Sequence, residues 1–173
     1  MLFESFGPFE IDRNFEGQWK REFWLQVDER LAGLRNSVGC YAFCLQHGET
    51  VKPWYVGQTI NKAGFEGEVF TDHKREHYSY LLELKPKSRP VMLLFPLVTD
   101  NWKLSKNRSS SKSVIDWLET TLIGMALSKN PEIANVSKTR FHREVYVHGV
   151  IGSQFQGKPS TSASFAKKAF TKS

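Results

Sequence analysis

Two short runs of the sequence each carry a glycine and a tyrosine: Gly39-Cys40-Tyr41 and Tyr55-Val56-Gly57. A glycine inside a strand weakens it and marks a point where another backbone or a ligand comes close. The ordinary use of the tyrosines would be as half-buried strand aromatics. A further feature is Glu119, in the apolar stretch Asp116-Trp117-Leu118-Glu119-Thr120-Thr121-Leu122-Ile123. A carboxylate near a buried stripe is costly unless it is paired, hydrogen-bonded or bound to a metal. On a helix surface it can equally partner a lysine. His73 and His77 are four apart, a spacing that puts both on one helix face and can chelate a metal. No third ligand for zinc is identifiable. Cys40 and Cys44 fall on the same face of a strand, too far along it for a normal disulfide, and read as buried thiols of a reducing cytoplasm.

The elements that would position these groups follow from periodicity. Phe15 to Leu34 reads as an amphipathic helix with Trp19, Phe23, Val27 and Leu31 on one stripe. Val38 to Leu45 is an apolar run of strand length, His47 to Thr50 a turn, and Lys52 to Gly57 the return strand of an antiparallel hairpin. Pro53 sits near the start of its strand, where a lost N–H is tolerated. Phe65 to Leu84 reads as a helix with Phe65, Val69, His73 and His77 on one stripe, ended by Pro86. Val91 to Phe95 is a strand apolar on both faces. Ser113 can cap a helix to about Lys129, with apolar Val114, Trp117, Leu118, Leu122, Met125 and Ala126. Glu144 to Ile151 reads as a short last strand. The fold class is therefore α/β: a small mixed or antiparallel sheet of about three strands flanked by helices, with an added N-terminal helix. The expected organisation is a helical extension over 1–36, an α/β domain over 37–152 and a flexible basic tail over 153–173.

Bulk composition sets the partner classes. The chain has 173 residues, 40% of them hydrophobic and 13% aromatic, enough to build a core. Its 24 Lys and Arg against 18 acids leave a formal charge of +6, which favours a polyanion, and nucleic acid is the commonest one. Lys103, Lys106, Arg108 and Lys112 form a Ser-rich basic stretch that can follow a phosphate backbone, positioning it without specifying sequence. Lys158, Lys167, Lys168 and Lys172 in the tail read as solvated lysines or as a phosphate-binding arm. No signal peptide and no membrane-spanning run are evident, so the expected location is cytoplasmic, with no membrane partner.

Taken in order, Gly39-Cys40-Tyr41, a short hairpin, Tyr55-Val56-Gly57-Gln58-Thr59, a helix, a strand, a helix bearing Glu119, and then Asn135 resemble the GIY-YIG nuclease superfamily over about Val38 to Asn135. Cys40 stands where the family usually has Ile. The resemblance implies a metal-dependent DNA endonuclease. In it Glu119 would hold one Mg²⁺ or Mn²⁺, Tyr41 would be the general base, Tyr55 would orient water or phosphate, and Asn135 would organise the metal side. Gly57 would allow close approach, and Gln58, Thr59, Arg75 and His77 would contact the nucleic acid. The family's helix Arg has no direct match. If His73 is the family's His, the Arg position falls on Val69; if His77 is, it falls on His73. His73, Lys74 or Arg75 would then supply the charge that a tyrosine base requires. Two other readings stand beside this one: a degenerate member that binds nucleic acid without cutting, and an unrelated small α/β interaction domain. Monomer and homodimer are both open.

Overall fold

The structure is a computed structural model that describes residues 2–99, 101–105, 110–144 and 158–170. It divides into two compact units, Met1–Ala134 and Asn135–Ser173. The first unit holds β1 (Leu2–Phe3), β2 (Phe6–Glu10), α1 (Trp19–Arg30), β3 (Gly39–His47), β4 (Thr50–Thr59), α2 (Asp72–Leu84), β5 (Arg89–Val98) and α3 (Lys112–Lys129). The second holds α4 (Arg140–Glu144) and α5 (Thr161–Phe170). The stretch read as a tail thus contains a helix. Of the strand expected over Glu144 to Ile151, Glu144 ends α4 and residues 145–151 lie outside the described residues.

The first unit is mixed α/β, with an antiparallel sheet flanked by helices. β3 is central, with β4 on one side and β5 on the other, and the far edge of β5 carries both β1 and β2. The three strands expected from the sequence are β3, β4 and β5. The two extra strands arise from a segment too short and irregular to show strand periodicity; β2 spans Phe6 to Glu10 and includes Gly7 and Pro8. The expected hairpin forms with His47 opposite Thr50, and Gly48 at the tip adopts a φ of 57°, a conformation open to glycine. Pro53 lies on edge strand β4, where the register shifts and leaves Trp54 as an extra residue.

Alternation divides the sheet residues between two faces. Tyr41, Phe43, Leu45, Met92 and Leu94 share a core with Phe23, Trp24 and Val27 of α1 and with Tyr78, Leu81 and Leu82 of α2. Ala42, Cys44, Val56 and Val91 lie on the other face, against Ile123 and Ala126 of α3. β5 is therefore covered on both sides, as its uninterrupted apolar run requires. Cys40 and Cys44 are buried and unbonded to each other.

Three helix expectations are corrected. α1 begins at Trp19 and ends at Arg30, and Leu31, already extended at φ −159°, is exposed. α2 begins only at Asp72; the expected first turns, from Phe65 and including Gly67, form successive turns instead. Just before them Gly64 sits at φ 62°, where a Cβ would meet the Asn36 backbone, so the chain turns there. Phe65 and Val69 are still buried, but from this turn segment. α3 buries Ile115, Ile123 and Ala126 and leaves Trp117 and Met125 exposed, at 63% and 65%. Its N-cap is Ser111, one residue before the helix, and Ser113 lies inside it.

Candidate functional site

The two triplets become one local geometry through strand register. Tyr41 pairs with Gly57, and Phe43 pairs with Tyr55. Tyr41 and Tyr55 are thus diagonal neighbours on one face, with ring centroids 6.2 Å apart. Both glycines have a packing explanation. A Cβ on Gly57 would stand 2.5 Å from Tyr41 Cζ, so Gly57 makes room for the tyrosine across from it. A Cβ on Gly39 would stand 2.8 Å from Pro96 Cα, so Gly39 lets β5 close against β3.

α2 lies over this face and brings Lys74 and His77 to the tyrosines. The Lys74 ammonium sits 5.4 Å from the Tyr41 ring centre. The His77 ring meets the Tyr55 ring edge-on, with centroids 6.4 Å apart, and His73 stacks beyond it at 6.2 Å. Tyr78 stacks on Phe43, with centroids 4.1 Å apart. Arg75 points elsewhere and pairs with Asp72 at 2.8 Å. Lys74 is held by Glu68, whose carbonyl oxygen accepts from it at 2.9 Å and whose carboxylate forms an ion pair with it. Glu68 had no periodic signature, because it belongs to the turns before α2 and not to the helix.

From the other side, α3 packs beside edge strand β4. Gln58 donates to the Asp116 carboxylate, and one helical turn further the half-buried Glu119 acts on Tyr55 through its charge. The far end of α3 is tied to the bulge: Asn130 Nδ2 donates to the Pro53 carbonyl at 2.9 Å, and the Ala134 amide donates to the Trp54 carbonyl at 2.8 Å. Tyr41, Tyr55, Lys74, His77 and Glu119 are therefore grouped around β4, with Glu68 added. Gln58 and Thr59 are occupied within the protein; the Thr59 hydroxyl donates to the Gly64 carbonyl at 3.2 Å. Lys103 lies in the turn after β5, where its amide donates to the Thr99 side chain and its carbonyl accepts from the Thr99 amide, and Lys112 is exposed at the start of α3. Lys106 and Arg108 lie outside the described residues. Asn135 belongs to the second unit, where its carbonyl accepts the Thr139 hydroxyl at 3.2 Å.

Burial sets the acid–base character of the cluster. Tyr41 is fully buried, and its hydroxyl faces that of Tyr55 with no well-formed hydrogen bond among the described residues. Burial, reinforced by Tyr78, Tyr55 and Glu68, raises its pKa well above the ordinary value. Tyr55 is half-buried and is raised by burial and by the charge of Glu119. Tyr78, fully buried, is raised well above its usual value by burial, and burial pushes the Cys44 thiol up to about 12. In the unfolded chain these groups shed protons from about pH 9 for the thiol and about pH 10 for the phenols. Between those values and the folded ones, the native state holds more protons than the unfolded state, so stability falls as pH rises. The melting temperature is expected to be level below about pH 9, to decline above it and to steepen past about pH 10. A Tyr78→Phe variant should decline less over the upper part. A melting curve unchanged to about pH 11 would contradict the burial of these groups.

Among the described residues no group of three or more His, Cys, Asp or Glu is placed to hold a metal ion, and His73 and His77 gain no third ligand there. No helix of the described residues is long and apolar enough to cross a membrane. No protein-family model matches the chain, and no curated protein or solved structure matches it.

Proposed function

We propose that the chain is a GIY-YIG-like, metal-dependent endonuclease that hydrolyses phosphodiester bonds in DNA. The observation that supports this best is the gathering of Tyr55, His77, Lys74 and Glu119 around one edge strand, in a chain with a net positive charge. A phosphodiester repels nucleophiles, so its hydrolysis requires a proton acceptor for water and positive charge at the phosphoryl oxygens. The donor set fits Mg²⁺ or Mn²⁺: Glu119 is a half-buried carboxylate, and Mg²⁺ is commonly bound by one or two carboxylates together with substrate phosphate oxygens. Such an ion supplies positive charge to the phosphoryl oxygens.

The protein groups divide the remaining work by burial. Tyr41 is enclosed and its pKa is raised, which is the wrong direction for a base, so in this reading it supports Tyr55 and Lys74 from beneath. Tyr55, partly exposed, orients the water through its hydroxyl. His77, against the edge of Tyr55, takes the proton. Lys74 meets a phosphate oxygen.

Purified protein with supercoiled plasmid and Mg²⁺ or Mn²⁺ is expected to produce nicked circles, and EDTA to stop it. His77→Ala and Tyr55→Phe should slow nicking about a hundredfold, the usual scale for an acid–base or positioning group. Tyr41→Phe should leave most of the rate. A specific observation favours the second reading, a binder that does not cut: Lys74 and Arg75 are each held by an acidic residue. Plasmid retained but never nicked under any metal would decide for it.

A further inference from the structure

Glu68 is the acidic residue closest in role to a substrate, because it occupies the cation that a phosphate would need. Its carboxylate pairs with Lys74, and its backbone carbonyl accepts from the same ammonium at 2.9 Å. The Lys74 side chain is 11% exposed and that of Glu68 is 30% exposed. Lys74 is also held over the Tyr41 ring. The charge of Glu68 reaches Tyr41, Tyr55 and Tyr78, so it lies with the tyrosine cluster and not on a remote surface.

We propose that Glu68 is a built-in stand-in for the substrate phosphate: it neutralises Lys74 until a phosphodiester oxygen displaces its carboxylate. This rests on the endonuclease reading. A nearly buried ammonium left alone is costly, and exchanging one anion for another keeps it compensated throughout. Lysine suits the exchange, as a point charge with three donors and no fixed planar geometry. The backbone carbonyl of Glu68 retains Lys74 after the carboxylate has left. Glu68 can leave because it sits in the turn segment before α2, outside the helix that fixes Lys74. A carboxylate that stays in place would repel the incoming phosphate, so Glu68 also sets a threshold: only an anion able to outcompete it enters.

The test is binding of a short labelled DNA duplex in EDTA, where nothing is cut. Glu68→Gln should bind roughly tenfold tighter than wild type at low salt, because a like charge is removed from the site. Its log affinity should fall more steeply with log salt, by about one additional unit of slope, as one more phosphate is neutralised. Both gains should vanish when Lys74→Met is added. Glu68→Asp, which withdraws the carboxylate by one methylene and keeps the charge, should give a smaller gain and serves if the Gln variant does not fold. Unchanged or weaker binding by well-folded variants overturns the proposal, as does a gain that persists without Lys74 or an absence of binding by every form. Nicking by wild type is scored separately. Tighter binding by Glu68→Gln in a protein that never nicks refutes the nuclease reading alone, and nicking with unchanged affinity refutes this inference alone.

Discussion

A Glu119→Gln variant is expected to lose about a thousandfold in the rate of Mg²⁺-dependent plasmid nicking, the equivalent of roughly 4 kcal/mol of barrier. The size follows from the composition of the cluster. On the α3 side the groups are Asp116, engaged by Gln58, and Glu119, whose charge reaches Tyr55. A neutral amide of nearly the same shape keeps the packing and removes the anion. Duplex binding in EDTA should therefore persist, and the melting temperature should move little, since Glu119 is only half-buried on its helix. Single-turnover nicking at saturating protein separates the chemical step from binding. A variant that nicks at the wild-type rate removes Glu119 from the site, whatever becomes of the fold.

Among the sheet glycines, Gly39 and Gly57 carry large expected effects on stability. At Gly39 a methyl group would press on the Phe95 carbonyl and stand 2.8 Å from Pro96 Cα, both backbone atoms of the paired strand β5. Backbone in a central ladder cannot step aside, so Gly39→Ala should cost about 3 kcal/mol or more, the upper range for overpacking. For a chain of this size that corresponds to a fall of roughly 10 °C in melting temperature. At Gly57 the obstacle is a side chain, Tyr41, which a methyl group would meet at 2.5 Å from Cζ. Gly57→Ala should therefore tilt the Tyr41 ring, at a cost of about 1–3 kcal/mol. The two residues should be coupled. Tyr41→Ala alone should cost about 3–5 kcal/mol, and in its presence Gly57→Ala should add little. Additive losses in this cycle would mean that Gly57 is glycine for some reason other than Tyr41.

The hairpin, the doubly covered strand β5 and the presence of helices before, between and after the strands were legible in the residues. Their signals are local: short apolar runs of strand length in β3 and β5, and a glycine at the tip of the turn between β3 and β4. The start of α2 was not legible, because Phe65 and Val69 keep helical spacing while being buried from turns. The exposed Trp117 and Met125 likewise escape an apolar-equals-inside rule, since the buried stripe of α3 is decided by which face meets the sheet.

The sequence alone determined that Gly39, Tyr41, Tyr55 and Gly57 lie on adjacent strands, because a short turn between two apolar runs leaves few pairings. Only the tertiary structure decided what those residues are for one another. Register set Tyr41 over Gly57, and the packing of α2 on this face took Lys74 and His77 to the tyrosines and left Arg75 paired with Asp72. Burial of Tyr41, and the presence of Glu68 at Lys74, are likewise products of packing between segments distant in the chain. Sequence spacing encodes which face of its own element a residue occupies; what that face meets depends on contacts that no spacing records.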